Sequence, residues 1–456
     1  MYKLTEDNGN RKYLTNSGID IFTLAAGFYE STGDKLINTP WKDGGFVTID
    51  VFQNTSGSGT RKQFILNYSY MKRIFVGNLH TNGSFRGWVE LKHNEGVSAF
   101  LEDELFNLYE KVATIQNTNT KSFGFISDTH YIRNSNGSYG MNGLQHVNNI
   151  IDFTKYGLLD FVVHGGDIIN GKDSPSVYKR ELYDNVKAFT KSKVPVAILK
   201  GNHDYGPWYT DNTANPKLAD IMSPTEWHQK MVKPFEENFV FNSAEKNGGY
   251  YYKDFNDIKL RVIFLNTADV AHISNNNGSP KYHNISFHAL RNRQIQWLAH
   301  TALNFQNKQS PSNWTVVTMS HVPITGSDGV GKATNAFAFR GIIRAFKLGI
   351  RYRSAVTEGD HGVDVTVDFT GRKGNHIAHI GGHYHLDEDY VHDEIRYINV
   401  LHSATADSST GLTRDPRPRD SGEITEDSWN VFTVNTSNRR MHLSRFGQGS
   451  DKVISY

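Results

Sequence analysis

Aspartate, asparagine and histidine recur in this chain at the ends of hydrophobic runs, in an order that could hold metal ions. Asp128 and His130 follow the run Phe123–Ile126, and Asp167 follows Leu159–Val163. Asn202 and His203 follow Val194–Leu199, His321 follows Trp314–Val317, and His383 and His385 follow His376–Ile380. A short apolar run bounded by turn residues reads as a buried strand. Five such strands, each ending in a ligand-type side chain, describe the carboxyl edge of a sheet, where α/β folds hold their ligands.

The donors are hard oxygens and imidazoles, with no thiolate. They suit Mn²⁺, Fe or Zn²⁺ better than Ca²⁺ or a structural zinc. If one carboxylate bridges, the set supplies about four ligands to each of two ions, and ions ~3.5–4 Å apart are a recurring device for in-line attack at phosphorus.

The order and spacing resemble the calcineurin-like metallophosphoesterases, whose signature reads D-x-H, G-D, G-N-H-D/E, H and G-H-x-H. Here the blocks are Asp128 with His130, Gly166 with Asp167, Gly201 through Asp204, His321, and Gly382 through His385. The resemblance runs from about residue 120 to the end of the chain. It implies an α/β (α+β) fold, a two-sheet β-sandwich flanked by helices, and two divalent metal ions. By the same resemblance, Asp128, His130 and His385 would bind the first metal, Asn202, His321 and His383 the second, and Asp167 would bridge. His203 would not ligate; it would face the leaving-group oxygen as general acid, or stabilise charge on the phosphoryl group. Asp204 would hold His203 or neighbouring backbone in place.

The elements that must position these residues follow a βαβ rhythm. Strands are expected near 123–127, 159–164 and 195–200, and helices near 141–156 and 175–191, with a loop at Asn134–Ser138. A hairpin is expected from 249–255 and 260–266 around Asn256 and Asp257, then a helix at 288–306. Residues 430–434 and 441–446 read as a closing hairpin, similar to the last strands of bacterial and phage phosphoesterases of this family. The catalytic domain is therefore assigned to 120–456.

Residues 1–96 read differently, as a small all-β module. Gly45–Phe52 and Arg61–Tyr68 alternate as strands around the turn Asn54–Thr60, and two more strands follow at Arg73–Leu79 and Gly87–Leu91. The layout resembles knob-type modules of phage and phage-like tail proteins, through Ile19–Leu24, Gly27–Tyr29 and Phe85–Leu91. Tyr29, Trp41 and Trp88 equally suit a small β core. Between the modules, residues 97–119 place Leu101, Leu105, Leu108, Val112 and Ile115 at heptad spacing. This is either an amphipathic linker helix packed on its own domain or a short coiled coil joining copies, as a trimeric tail protein would want.

Composition sets the outer limits. Of 456 residues, 49 are basic and 47 acidic, so nothing in the overall charge argues for nucleic acid or a membrane surface. With no cysteine, disulfides and thiolate metal sites are excluded. The start of the chain lacks the apolar core of a signal peptide, and no apolar run approaches the ~18–20 residues of a membrane span. The chain is expected to be made in a cytoplasm without an N-terminal export signal.

Two insertions lie between ligand blocks. In 205–248, Tyr205, Trp208, Tyr209 and Trp227 could stack on a sugar or acyl chain, or could pack the loop. In 322–375, Arg340, Arg344, Lys347, Arg351 and Arg353 form a basic run, most of it along one face of the helical segment Phe337–Leu348, and that face is either solvated or able to recruit a polyanion. Of the histidines outside the blocks, including His146, His288, His376, His379 and His402, only His164 is expected near the site.

These readings converge on a phosphodiesterase of a phage tail or related particle, located in the virion tail. Its expected partners are a phosphate-containing glycopolymer such as teichoic acid and other tail proteins. A bacterial phosphatase or nucleotide phosphodiesterase with a β accessory domain is the alternative within enzymes. A non-catalytic, receptor-binding tail protein is the alternative outside them.

Overall fold

A computed structural model describes residues 4–456 apart from 43, 57–58, 70–72, 92–98, 134–139, 141, 207–215, 326–332, 358, 405–416, 418 and 420–422. The chain divides into two compact units, Met1–Gly96 and Val97–Tyr456. In the first, strands Lys12–Tyr13, Gly27–Thr32, Phe46–Ser56, Gly59–Tyr68, Arg73–Leu79 and Phe85–Leu91 form one sheet in that order. Every pairing but the first is antiparallel. Period-two alternation puts Val47, Ile49, Val51, Phe64, Leu66 and Tyr68 into one core with Tyr29, while Trp41 and Trp88 pack at its margin. The aromatics of this unit therefore do core work, with the Trp88 indole also donating to the Asn38 carbonyl at 3.1 Å.

The second unit is a two-sheet sandwich. One sheet runs Val196–Ile198, Phe161–His164, Thr120–Ile126, Ser428–Asn435, Arg440–Gly447, Lys452–Ser455; its first three strands are parallel and the closing hairpin is antiparallel. The other runs Val240–Phe241, Tyr251–Phe255, Leu260–Phe264, Thr315–Met319, Asn375–Gly381, Ile395–Asn399, Glu388–His392. Alternation decides which residues join the layers. Val262, Phe264, Val317 and Met319 share a core with Phe123, Phe125, Val162 and Phe432 of the first sheet. Ile263, Leu265 and Val316 point the other way, onto Ala338, Phe339, Ile342 and Phe346 of the helix Ala336–Leu348. Helices Ala99–Ile115, Gly143–Phe153 and Pro175–Phe189 cover the outer face of the first sheet.

The structure changes one expectation and decides two readings the sequence left open. The heptad seam Leu105, Leu108 and Val112 is buried in this unit's own core, so the helix is a packed linker and that seam is not open to other copies. The Leu101 side chain lies outside the described residues. The helix expected at 288–306 is only Asn292–Trp297 with a π-turn at Leu298–Ala302, because His288–Ala289 is drawn into a strand beside Ala333–Thr334. Arg351 and Arg353 lie on the strand Arg351–Val356, since the basic helix ends at Leu348 before Gly349 (φ +68°). The loop expected at Asn134–Ser138 is outside the described residues. Among the described residues no helix is long and apolar enough to cross a membrane.

Candidate metal centre

The parallel strands end at one edge, and the chain turns sharply after each to present a ligand-type side chain. Asp128, His130, Asp167, His383 and His385 all have positive φ, between 44° and 68°, a region non-glycine residues seldom occupy. The surrounding hydrogen bonds impose it. Asp128 N donates to Gly166 O (2.9 Å), His130 N to Asp167 O (3.0 Å), and His383 N to both carboxylate oxygens of Asp128 (3.1 and 3.0 Å). Two motif glycines are there for close approach. A Cβ on Gly201 would collide with the backbone N and carboxylate of Asp167, and one on Gly382 with the Asp128 carboxylate and Ser127 hydroxyl.

Two of the three side-chain groups that could hold a metal ion lie around a shared carboxylate. Asp128, His130 and His385 make one, with His385 Nε2 3.3 Å from Asp128 Oδ1 and 3.1 Å from His130 Nε2. Asp167, His321 and His383 make the other. Asn202 Oδ1 lies 3.0 Å from His321 Nε2 and 2.9 Å from His383 Nδ1. Asp167 Oδ2 is 3.2 Å from His321 Nε2 and 3.7 Å from His130 Nε2, so it reaches both groups. Asp128, His130, Asp167, Asn202, His321 and His385 are all buried, and His383 is partly exposed.

Burial opposes ionisation of Asp128 and Asp167, yet the neighbouring imidazoles, His321 foremost, hold both below the usual carboxylate range. The reverse holds at His321: burial alone would lower its pKa, but Asp167 and Asp128 push it up to about 9. Burial, reinforced by His203, carries His130 well below the ordinary imidazole value. Buried carboxylates and imidazoles that displace one another's pKa values mark a candidate cation site.

His203 makes a third such group with His130 and Asp167. Its ring meets the His130 ring edge-on at 4.6 Å, and Nε2 is 4.0 Å from Asp167 Oδ2. Its Nδ1 is fixed on the Asn170 carbonyl at 2.7 Å, which turns Nε2 to the site. Asp204 holds backbone and not the His203 ring: it accepts from Ile168 N (2.8 Å), Ile169 N (3.2 Å) and Gly201 N (2.8 Å). Burial and the nearby Asp167 push its pKa to about 7.

His164 lies beneath the cluster, not in it. Gly166 N donates to its Nδ1 (3.2 Å) and Thr129 Oγ1 is 3.1 Å from Nε2; burial lowers its pKa to about 3, so it stays neutral. Tyr205 and Trp227 are buried and box the Lys200 ammonium at 4.9 and 5.1 Å, so they pack the first insertion; Trp208 and Tyr209 lie outside the described residues. On the basic helix, Arg340 pairs with Asp393 (2.7 Å) and Arg344 with Glu394 (3.1 Å), while Lys347 donates to the Glu394 carbonyl. Two histidines read as structural do touch ligand-type rings: His288 meets His383 at 5.3 Å, and His402 lies over His385 at 4.7 Å. Neither belongs to a motif, and both reach the site through long-range packing that no local pattern announces.

Sheets stacked this way, with ligand-type side chains gathered at one carboxyl edge, define the metallophosphoesterase class. The family model of calcineurin-like phosphoesterases matches residues 121–387, more than half of the chain, and the chain belongs to that family, whose members bind dinuclear metals. Residues 1–91 match the XkdV N-terminal domain. The phage-like element PBSX protein XkdV of Bacillus subtilis (strain 168) is 33% identical over 122 residues, 26% of this chain. The match spans only 17% of that relative's length. Among solved structures, the chain is similar to a dimetal phosphatase from Danio rerio, at 16% identity and a TM-score of 0.49, covering 74% of this chain and 99% of that one. It is also similar to the purple acid phosphatase PPD1 of yellow lupin (Lupinus luteus), at 10% identity and a TM-score of 0.36, covering 91% of this chain and 68% of that one.

Proposed function

We propose that this metal-dependent phosphoesterase is a phosphodiesterase of a phage-related tail, acting on a phosphate polymer of the cell surface such as teichoic acid. The observation that carries this is the union in one chain of the shared-carboxylate cluster with an N-terminal region matching a phage-element protein. Its partners would be the polymer and other tail proteins, and its place the virion tail.

The donors fit two divalent ions: buried hard oxygens and imidazoles, with Asp167 Oδ2 reaching both groups. Asp128, His130 and His385 would hold one, Asn202, His321 and His383 the other, and Asp167 would bridge; Mn²⁺, Fe and Zn²⁺ all suit the set. When bound, two such ions supply Lewis acidity at the phosphoryl group and a nucleophile from water at neutral pH. The chain's own part is to place and protonate. The Asn170 carbonyl orients His203, and burial lowers its pKa. Once protonated, such a ring is a strong acid, suited to giving Nε2–H to a departing alkoxide.

Incubation of the full chain with Mn²⁺ and purified wall or lipoteichoic acid tests the reading. Shortening of the polymer with release of its repeating alcohol phosphate is the expected result. Unchanged polymer length alongside turnover of a small phosphate monoester would sink it.

A further inference from the structure

His288 sits in no motif block, yet its ring stands edge-on (76°) against His383 at 5.3 Å. The residue is 6% exposed. Its backbone is fixed on both sides. Ala289 N donates to Thr267 O (2.9 Å) and Leu290 N to Thr334 O (3.1 Å), within the short parallel pairing of His288–Ala289 with Ala333–Thr334. The Thr267 hydroxyl in turn accepts from Val322 N (3.2 Å), next to His321. One residue thus cross-ties the His288 strand to the loop carrying His321.

Its hydrogen bonding separates the ring from His164 and His146, although the nitrogens of His402, beside His385, also lack a partner among the described residues. His164 has both ring nitrogens engaged, by Gly166 N and Thr129 Oγ1. His146 is likewise engaged at both ends, by Ser403 O (2.6 Å) and Glu426 Oε1 (3.1 Å). Among the described residues none hydrogen-bonds the His288 ring. A neutral imidazole carries one N–H donor and one acceptor, and the His288 nitrogens are not among the fully buried atoms without a partner, so they are open to solvent or a ligand. A largely buried ring against His383, with no hydrogen-bond partner among the described residues, is placed to meet the oxygens of a ligand at the centre. His203 already occupies the corresponding place on the other group, against His130.

We propose that His288 is a second substrate-contacting histidine, donating a hydrogen bond to a phosphoryl oxygen on the Asn202, His321 and His383 side of the centre. This rests on the phosphoesterase reading above. Its consequence is grip on two sides: His203 on the group of His130, and His288 on the group of His383.

The test uses the metal-loaded full chain with inorganic phosphate as probe, in His288→Phe and His288→Asn. His288→Phe keeps the ring volume and removes both nitrogens; His288→Asn keeps an N–H. The expected result is two metals per chain in both variants by elemental analysis. Phosphate binding should weaken about ten- to a hundredfold in His288→Phe, the range of one hydrogen bond to a charged oxygen, with partial recovery in His288→Asn. KM for bis-nitrophenyl phosphate should rise more than kcat falls. Unchanged phosphate affinity in His288→Phe overturns the proposal, as does loss of one metal, which would make His288 a ligand. If His288→Phe does not fold, His288→Asn decides alone: wild-type metal content with weakened phosphate supports the contact, and wild-type affinity with a wild-type KM overturns it. A wild-type chain that binds neither metals nor phosphate overturns the phosphoesterase reading itself, and this inference with it.

Discussion

The two units, one a single sheet and the other a two-sheet sandwich, use β-strands to solve different problems. In the N-terminal sheet, Val47, Ile49 and Val51 alternate inward while their neighbours stay partly exposed, and Asn38 alone among the described non-glycine residues has positive φ. In the catalytic unit, five ligand-type residues at one edge have positive φ, and two carboxylates are buried side by side. Strain of this kind costs on the order of 1–3 kcal/mol per residue and persists only where the surroundings impose it. One unit is arranged for its ladder; the other gives up local comfort so that side chains from five strands can converge. Chemistry and stability should therefore respond to different mutations.

The largest expected effect is on chemistry. His203→Gln should lower kcat by about 10²–10⁴-fold, the usual loss for a positioned acid. Two metals per chain and the thermal transitions should be retained. Retained activity would mean that the ring does no proton work, and loss of a metal would mean that it ligates. Next comes a change in the other unit: Phe64, fully buried in the N-terminal core, replaced by alanine. That unit should lose about 3–5 kcal/mol, read as an earlier calorimetric transition. Turnover of bis-nitrophenyl phosphate should stay at the wild-type value. A fall in kcat there would break the division between the units.

A smaller effect depends on pH. His146, on the helix Gly143–Phe153, faces Asp427, Glu426 and Arg419. Burial lowers its pKa, but Asp427 and Glu426 outweigh that and raise it above 6.5. A raised imidazole pKa adds stability that is complete below the unfolded value, about 6.5, and is lost as pH rises through the folded value. The clamp matters for the site because its partner Ser403 donates to Ser127 O and the next residue, Ala404, to Asp128 O. The catalytic transition in urea should move to lower denaturant as pH rises from about 6 to about 9, and His146→Gln should flatten that slope. Parallel slopes in the two proteins would rule the clamp out.

What the sequence discloses follows the range of the interaction responsible. Asp128, Asp167, Asn202, His321 and His383 each follow a short apolar strand, so local pattern and chemistry coincide and the cluster is legible. The inward alternation at Val262 and Phe264 is legible for the same reason. The heptad of Leu105, Leu108 and Val112 is ambiguous, because identical spacing serves an intramolecular face and an intermolecular seam; packing on the domain decides it. His288 is illegible, since Phe287 and Leu290 around it suit a helix until Thr334 and Thr267 capture the backbone. The seat of His203 on the Asn170 carbonyl is a tertiary contact of the same sort.

The smallest predicted effect tests whether the basic helix belongs to stability or to substrate. Arg344 and Glu394 are paired at 3.1 Å, each side chain 55% exposed. Exposed pairs of this kind contribute about 0.2–1 kcal/mol, so Arg344→Ala should barely move the catalytic transition. Its near neighbours Arg340 and Lys347 already have partners in the Ile395 strand's preceding turn, Asp393 and Glu394, which makes the face closer to neutral than its sequence implies. Cleavage of a polymeric phosphodiester at low salt should then be unchanged in Arg344→Ala, as should turnover of bis-nitrophenyl phosphate. A several-fold loss confined to the polymer, and erased by added salt, would show the face recruiting a polyanion. The division would then lie within the catalytic unit, between a buried centre and a surface that feeds it.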